Sequence, residues 1–453
     1  MINKLNINYI KIKFLLLGLG LATFMLLQFA FAPKANATTY NVTTSSACSL
    51  VDALISATSD TATGSCLAGE ATPDTINVAA GTYTITADIG FLTNSGDLTV
   101  VGDNPITTII NGAGFTGATF ASAPGTNVSV SNLTFTGFVD SGTAGPAVLS
   151  VGSGNLTVNN IVVHGNTCTT IPICSILANY APSGTTGTIS VSNSAFYNNT
   201  SFYIVWVTNL NPFVDPIVVG GSVQATFTNN TFSGNTGAAI GVNNGSDSDS
   251  VSVDITNNTI ANSTFTLPPG ATPDLGGAIM IVPQAEEIAL FPAEIKLLNN
   301  VFSNNLASGN PINCQITIPT NGGTITSQGG NVSSDNTCSS YFTNTNDLNN
   351  TDPQLQALVQ DNSTFVRPIG NTSPAYNNAV ATGAPTTDQR GVARPQNGAY
   401  DSGAYEYVGP APSGGSGGGT LAGTGWDTKL PALVAGLLVL GGILATGYAI
   451  KKS

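Results

Sequence analysis

The 453-residue chain has little charge of any kind and almost no positive charge in its body. Charged residues make up 8% of the sequence, against about a quarter in an average soluble domain. The formal net charge is −13, and Lys296 is the only Lys or Arg between residues 38 and 366. Because proteins bind nucleic acid through clustered Lys and Arg, this composition excludes a nucleic-acid partner.

Metal-ligating side chains are also scarce. The chain has one histidine, His164, and none of its six cysteines stands in a Cys-x-x-Cys pair. Such pairs and clustered histidines hold most zinc sites, so the sequence predicts no metal and no cofactor. His164 follows the apolar Val163 and has no identifiable partner, so we expect it to face solvent rather than to act as a general acid or base.

The N-terminus has the order of an export signal. Three lysines before residue 14 lead into the apolar run 14–31, and the small residues Ala35 and Ala37 follow. This order is typical of a secretory signal peptide, here residues 1–37, with cleavage after Ala37. An uncleaved membrane anchor is the alternative, and both place the rest of the chain outside the cell.

The C-terminus has the order of a membrane anchor. Residues 410–420 are mostly Gly, Ser and Pro, which predicts a flexible linker. The apolar segment 430–450 is long enough to cross a bilayer as a helix, and the two lysines after it favour a cytoplasmic tail. A short motif precedes this helix and consists of Leu421, Ala422, Gly423, Thr424 and Gly425.

Residues 421–453, taken as motif, apolar helix and basic tail, resemble the cell-wall sorting signal Leu-Pro-x-Thr-Gly that sortases read. Ala422 stands where that pattern has proline. The resemblance implies a sortase-like transpeptidase as a partner and cleavage between Thr424 and Gly425. A plain single-pass anchor is the alternative, and either one predicts a protein secreted and held at a bacterial cell surface.

The body, residues 38–409, repeats one pattern six times from Val128 onward. Each copy has two alternating apolar residues, an Asn and an apolar residue three positions later, as in VSVSNLTF and LTVNNIVV. Alternation predicts strands with one buried face, and repetition predicts coils that stack as a parallel β-helix. An antiparallel sandwich, the alternative, would need hairpin turns every 8 to 12 residues or so. The repeated asparagines are Asn132, Asn160, Asn193, Asn229, Asn257 and Asn299.

These asparagines predict a corner of each coil. They lie 28, 33, 36, 28 and 42 residues apart. Asn tolerates the left-handed conformation of a tight turn, and its amide can hydrogen-bond to the next coil, so we expect a structural asparagine ladder. Residues 75–111 look like degenerate first coils, and the longer intervals place insertions at 208–221 and 264–294, where solenoids often bind ligands.

Two segments frame the repeats: CSLVDAL at 48–54, and DQRG at 388–391 with DSGAYE at 401–406. They resemble pectin-lyase-like proteins of the choice-of-anchor Q group, over nearly all of residues 47–407. The resemblance implies an all-β, single-stranded, right-handed parallel β-helix (solenoid) with a capping helix at 49–56, and no defined activity. We interpret the closing charges as structural, covering the last coil: Asp388, Arg390, Arg394, Asp401 and Glu406.

Six cysteines in an exported chain favour disulfides. Their spacing suggests three local bridges among 15 possible pairings. The suggested pairs are Cys48 with Cys66, Cys168 with Cys174, and Cys314 with Cys338.

Catalytic groups are few and scattered. Polysaccharide lyases of this fold resemble one another in using a Lys or Arg base beside acidic Ca²⁺ ligands, and the coils offer only Lys296. Glycoside hydrolysis needs two carboxyl groups about 5 to 9.5 Å apart. Asp254 should point outward from a strand, which makes it a possible partner for Asp140 or Asp215 on a neighbouring face. The other carboxylates considered are Asp247 and Asp249, in a polar turn, and Glu286 with Glu287, in an insertion.

The sequence therefore favours a non-enzymatic surface protein. We expect an adhesin-like or envelope-structural β-helix whose loops or Asn/Ser/Thr-rich face bind a glycan or a host or partner cell surface. The alternative is a displayed polysaccharide hydrolase or lyase, and a third possibility is a passive spacer.

Overall fold

A computed structural model describes residues 37–409 with gaps, all within one compact unit that ends at Gly409. The signal peptide, linker, sorting motif and C-terminal helix predicted above lie outside the described residues and stay predictions. Within the described part, no helix is long and apolar enough to cross a membrane. The gaps are 71, 86–90, 93–96, 115–119, 123–125, 141–147, 153, 169–174, 181–183, 212–217, 220, 245–248, 266–277, 283–292 and 315–322.

Successive coils contribute strands to three sheets, here called faces 1, 2 and 3, in which strands stacked from coil to coil run parallel. At the edge of face 3, Asn310–Pro311 pairs antiparallel with Leu306–Ala307. Face 1 contains Thr39–Val42, Asp74–Val78, Leu98–Gly102, Val128–Ser131, Asn155–Asn159, Thr186–Ser192, Ser222–Thr228, Val251–Thr256, Ala293–Leu298 and Gly323–Gly329. Face 2 contains Gly81–Thr84, Thr108–Asn111, Thr134–Thr136, Val162–His164, Ala195–Tyr197, Thr231–Ser233, Thr259–Ala261, Val301–Ser303 and Val332–Ser333. Face 3 contains Phe91–Leu92, Phe120–Ser122, Val139–Asp140, Leu149–Gly152, Thr167–Cys168, Ser175–Tyr180, Thr200–Thr208, Thr236–Asn243, Thr264–Phe265, Ile279–Val282, Leu306–Ala307 and Asn310–Pro311.

This arrangement is a parallel β-helix, and identical positions of successive coils lie in register. On face 1, Leu156 lies beside Ile189, and Ile189 beside Ala225, all buried. On face 2, Phe196 and Phe232 stack with ring centroids 4.8 Å apart. Each fully buried apolar side chain of this size contributes about 1.5–3 kcal/mol by leaving water, so the internal columns supply the main stabilisation.

Each of the six repeated coils turns twice through the left-handed region. The first turn is at the repeated asparagines, with φ of 59° at Asn132 and 57° at Asn299. The second turn lies five residues later, at either Gly or Asn, for example Gly165 (65°) and Asn198 (52°). Left-handed backbone is costly for most L-residues and least so for Gly and Asn, so these residue types set the corners.

The corner asparagines bond to one another only in places. Asn160 donates its amide to Asn132 at 2.9 Å, and Asn299 donates to Asn257 at 3.2 Å. Asn193 instead donates to Asn159 at 2.9 Å. The corner column is therefore a partly connected ladder.

Two better-connected ladders lie in the interior, where the sequence pattern did not lead us to expect them. In the first, each Asn donates its backbone N–H and its side-chain amide to the amide oxygen one coil on, as Asn230 does to Asn258 at 2.9 and 3.0 Å. Asn258 bonds to Asn300 in the same way, and Asn300 to Asn331. The second ladder joins Asn166, Asn199 and Asn235 and, farther on, Asn305 and Asn313.

A helix closes the N-terminal end. It spans Leu50–Ser59 and so ends three residues beyond the predicted 49–56; Ser49 is its N-cap, accepting from the N–H of Asp52 at 3.1 Å. Leu50, Ala53 and Leu54 are buried against the first coils. Thr39–Val42 forms an additional first rung on face 1 that the repeat pattern does not reveal.

The C-terminal segment folds back over the corner between faces 1 and 2. Gly403 donates its N–H to the carbonyl of Asn299 at 2.7 Å, and Asn257 donates its amide to the carbonyl of Asp401 at 3.1 Å. The segment includes a hairpin of Val359–Asp361 and Thr364–Val366, and Phe365 packs on Tyr197. These contacts lie at the corner and leave the outward side of face 1 exposed to solvent.

Two of the predicted disulfides are present, Cys48–Cys66 and Cys314–Cys338. Cys168 is also disulfide-bonded, whereas Cys174, its predicted partner, lies outside the described residues. The first bridge ties the start of the capping helix to the loop that follows it, and the second holds the last coils.

Candidate binding face

Face 1 presents one hydroxyl per coil at the same outward position over seven consecutive strands. The strands pair in register, so each hydroxyl lies beside the next. With strands about 4.8 Å apart, the row extends about 29 Å. This row, called the hydroxyl column below, consists of Thr39, Thr75, Thr99, Ser129, Thr157, Ser190 and Thr226.

The hydroxyl column has no bonding partners within the part of the chain that the structure describes. None of its seven hydroxyl groups hydrogen-bonds to another described residue. Thr39, Thr157 and Thr226 are exposed, and the other four are half-buried between their neighbours. A hydroxyl can donate one hydrogen bond and accept two, so this row offers unused bonding capacity to solvent or to a ligand.

The neighbouring outward column is polar and partly cross-linked. Asn77 donates to Asn41 at 3.0 Å, and Ser192 donates to Asn159 at 3.0 Å. Its members from the first rung onward are Asn41, Asn77, Val101, Ser131, Asn159, Ser192 and Thr228. Bonds between coils thus hold some of its side chains, and all members of this neighbouring column are uncharged.

Charge begins where the hydroxyl column ends. Asp254 follows Thr226 in register and Lys296 follows Asp254. Lys296 forms a salt bridge with Glu294 at 3.3 Å, and both side chains are more than a third exposed. Exposed pairs of this kind contribute about 0–1 kcal/mol, and this one neutralises the single cation of the coils.

The carboxylates considered for hydrolysis do not form a described pair. Asp254 lies on face 1, whereas Asp140 belongs to a face 3 strand and its side chain is not described; Asp215 lies outside the described residues. The predicted pairing of Asp254 with Asp140 or Asp215 on a neighbouring face therefore stays a prediction. Asp249 contacts the Ser222 hydroxyl at 3.5 Å. Asp247, Glu286 and Glu287 also lie outside the described residues.

His164 is half-buried rather than freely exposed. Its ring stacks on Tyr197 with centroids 4.9 Å apart, and Nδ1 lies 3.4 Å from the Thr136 hydroxyl. Burial lowers the pKa of His164, so the ring is neutral at neutral pH. No carboxylate contacts the ring in the described structure, which leaves it without the partner that orients a catalytic histidine.

The closing charges pair with one another. Arg394 bonds to Glu406 at 3.0 Å with both side chains buried, and Arg390 bonds to Asp388 at 2.7 Å. Asp388 also accepts the Glu406 N–H at 2.9 Å. Each ion of this network has a counter-ion or backbone partners, which is how proteins hold buried charge for structural purposes.

An open cavity of about 440 Å³ lies between the capping helix and the first coils. Two of the polar groups on its wall are bonded to the protein: Tyr83 donates to the carbonyls of Val42 and Ala79, and Ser49 bonds to Asp52. Among the described residues no cluster of His, Cys, Asp and Glu could hold a metal ion. The hydroxyl column is the candidate site, because it repeats one unbonded polar group in register over seven strands.

No family model and no curated protein matches the chain, so the resemblance to the choice-of-anchor Q group stays a prediction. Among solved structures, the A-module of a mannuronan C-5 epimerase from Azotobacter vinelandii aligns with 58% of this chain and 91% of its own length. The identity is 13% and the TM-score 0.21. A similarity this low gives no ground for transferring an activity, and the parallel β-helix rests on the strand pairing described above.

Proposed function

We propose that the chain is a non-enzymatic glycan-binding protein, adhesin-like in role, displayed at a bacterial cell surface. The observation that carries this proposal is the hydroxyl column: seven hydroxyls in register on face 1 that bond to none of the described residues. Sugars are recognised through hydrogen bonds to hydroxyl and amide groups, and this face supplies both. The scarcity of cations and the dispersed carboxylates favour binding over catalysis.

The proposed display at the cell surface is inferred from the two ends of the sequence. The export signal at 1–37 and the apolar segment 430–450 leave the β-helix outside the membrane, and the linker at 410–420 separates it from the envelope. Attachment to the wall through Leu421 to Gly425 is a separate part of the proposal. Replacing Thr424 with Ala should release the protein from wall into detergent extracts, and an unchanged distribution would leave only the membrane helix as anchor.

Glycan binding is tested with the full chain, purified in detergent, on an array of polysaccharides. We expect retention on at least one glycan, and weaker retention when Thr157→Lys and Thr226→Lys fill the column with charged side chains. Gln360→Lys is the matched control, since it adds the same charge to an exposed residue of the C-terminal hairpin. Equal loss in both variants, or no retention on any glycan, would contradict the proposal.

The same samples test the alternative, a displayed polysaccharide hydrolase or lyase. Product release is measured with and without Ca²⁺, and we expect none above the background of a buffer blank. Turnover that disappears in Asp254→Asn would make the chain an enzyme and overturn the non-catalytic part of the proposal.

A further inference from the structure

We infer that the ligand of the hydroxyl column is an uncharged, linear polysaccharide that binds lengthwise, along the axis of the coils. This inference rests on the proposed glycan binding and adds the charge, shape and direction of the ligand. Three observations carry it: the absence of charge in the column, the regular repeat of one chemical group, and the length of the row.

The lack of cationic side chains in the hydroxyl column excludes anionic polymers as its ligand. From Thr39 to Thr226 the column contains only hydroxyl side chains, and the column beside it only Asn, Ser, Thr and Val101. The cation Lys296 lies two coils beyond Thr226 and is paired with Glu294. A uronate, sulfate or phosphate polymer would meet no counter-ion here and would be repelled by a net charge of −13.

The regular spacing of the hydroxyls determines the direction in which the polysaccharide lies on face 1. Moving along the axis, a ligand meets a hydroxyl at every strand, about every 4.8 Å, for about 29 Å. Moving along one strand it meets only two or three outward residues before the corner, as in Thr157 and Asn159. A polymer of identical units can therefore repeat the same contact many times only when it lies along the axis.

The weakness of each single hydrogen bond indicates that the ligand is long. A hydrogen bond between neutral groups at an exposed site replaces bonds to water and contributes about 0.5–1.5 kcal/mol. A single sugar that contacts one or two hydroxyls is therefore held weakly, because association also costs translational and rotational freedom. A polysaccharide that contacts several coils loses this freedom only once. Its affinity should therefore grow steeply with its length until the polysaccharide is longer than the column.

The test compares neutral and anionic glycans of graded length. Full chain in detergent is titrated with monosaccharide and oligomers of a neutral β-glucan, chitin and mannan, and with alginate and pectate as anionic probes. We expect at least a tenfold gain in affinity from dimer to hexamer for one neutral series, with alginate and pectate unbound. Tight binding of an anionic polymer would overturn the inference while leaving the proposed glycan binding intact.

Variants test the direction of binding. Thr157→Val and Thr226→Val remove one hydroxyl each and keep the branched shape that strands favour. Each should weaken hexamer binding about 2- to 10-fold and leave dimer binding less affected, whereas Thr82→Val, an exposed strand threonine on face 2, should change nothing. Equal affinity for dimer and hexamer would overturn lengthwise binding, and no binding of any glycan would remove the proposed function as well.

Discussion

Asn331 donates both its backbone N–H and its side-chain amide to one oxygen of Asp347, at 3.0 Å each. Asp347 thereby terminates the first interior ladder, in which each Asn donates its backbone N–H and its side-chain amide towards the next coil, and the amide also donates to a carbonyl of the preceding coil, as Asn258 does to Phe227. The other oxygen of Asp347 accepts from Ser327 and from the N–H of Asn344. The second ladder also ends at a carboxylate, since Asn313 donates its N–H to Asp335 at 2.9 Å, but the Asn313 side-chain amide donates to the hydroxyls of Ser333 and Ser334 instead. A carboxylate is the stronger acceptor for such aligned donors.

Replacing Asp347 with Ala should lower the free energy of unfolding by about 3 kcal/mol, because the buried donors of Asn331 lose their acceptor. Urea denaturation followed by far-UV circular dichroism measures this change. Asp352→Ala is the control, since Asp352 accepts only from the nearby N–H of Gln354 in an exposed turn. Equal effects of the two substitutions would refute the special role of Asp347.

The second ladder has a break at Ser263, which occupies the place taken by Asn in neighbouring coils. Ser263 donates its N–H to Asn305 at 3.0 Å, but its own buried hydroxyl has no partner. Ser263→Asn should extend the ladder to Asn235 and raise the free energy of unfolding by about 1 kcal/mol. Ser263→Ala, which removes only the unpaired hydroxyl, should stay within about 0.5 kcal/mol. A loss of stability in the Asn variant would show that the gap cannot accept the larger side chain.

The second corner of each coil should accept glycine freely. Asn198 has φ of 52°, and the coils on either side use Gly165 and Gly234 at the same place. Asn198→Gly should change stability by less than about 0.5 kcal/mol, while Asn198→Ala should cost about 1–2 kcal/mol for left-handed backbone. Thermal unfolding of the two variants gives the comparison, and equal Tm values would contradict it.

Stability should depend on the protonation of Asp401. Burial and, to a smaller extent, nearby Glu406 raise the pKa of Asp401 to about 6, against the opposing N–H groups of Asn377 and Tyr407. The folded state then binds more protons than the unfolded state between pH about 6 and about 4. Asp401 should therefore raise the free energy of unfolding as pH falls through this window, by about 2–3 kcal/mol at most, and this contribution should be lost again as pH rises.

Asp401→Asn isolates this effect. The lowered pKa of His164 acts in the opposite direction, since acid favours the unfolded state in which that ring protonates more easily. Subtracting the pH profile of the variant from that of the natural chain cancels the histidine contribution. A difference that is flat from pH 7 to pH 4 would contradict the raised pKa.

Part of the interior was predictable and was missed. The doublets Asn229-Asn230, Asn257-Asn258 and Asn299-Asn300 place a second Asn directly after the corner, and in each doublet the second Asn belongs to the interior ladder. The left-handed corner explains only the first Asn of each doublet. The recurring second Asn was therefore the sequence signal for the interior ladder. Face 3 had no comparable signal, because its strands differ in length and Thr200–Thr208 is buried on both sides.

The sequence by itself determined the local structure of the coils. Alternating apolar residues specify strands with a buried side, and Asn or Gly specifies the left-handed corners, because both effects act over a few neighbouring residues. Only the tertiary structure decided which residues align. Coils of 28 to 42 residues still stack in register. Register alone brings Thr39 and Thr226 into one column, and chain folding alone brings Asp401 onto Asn257, 144 residues away.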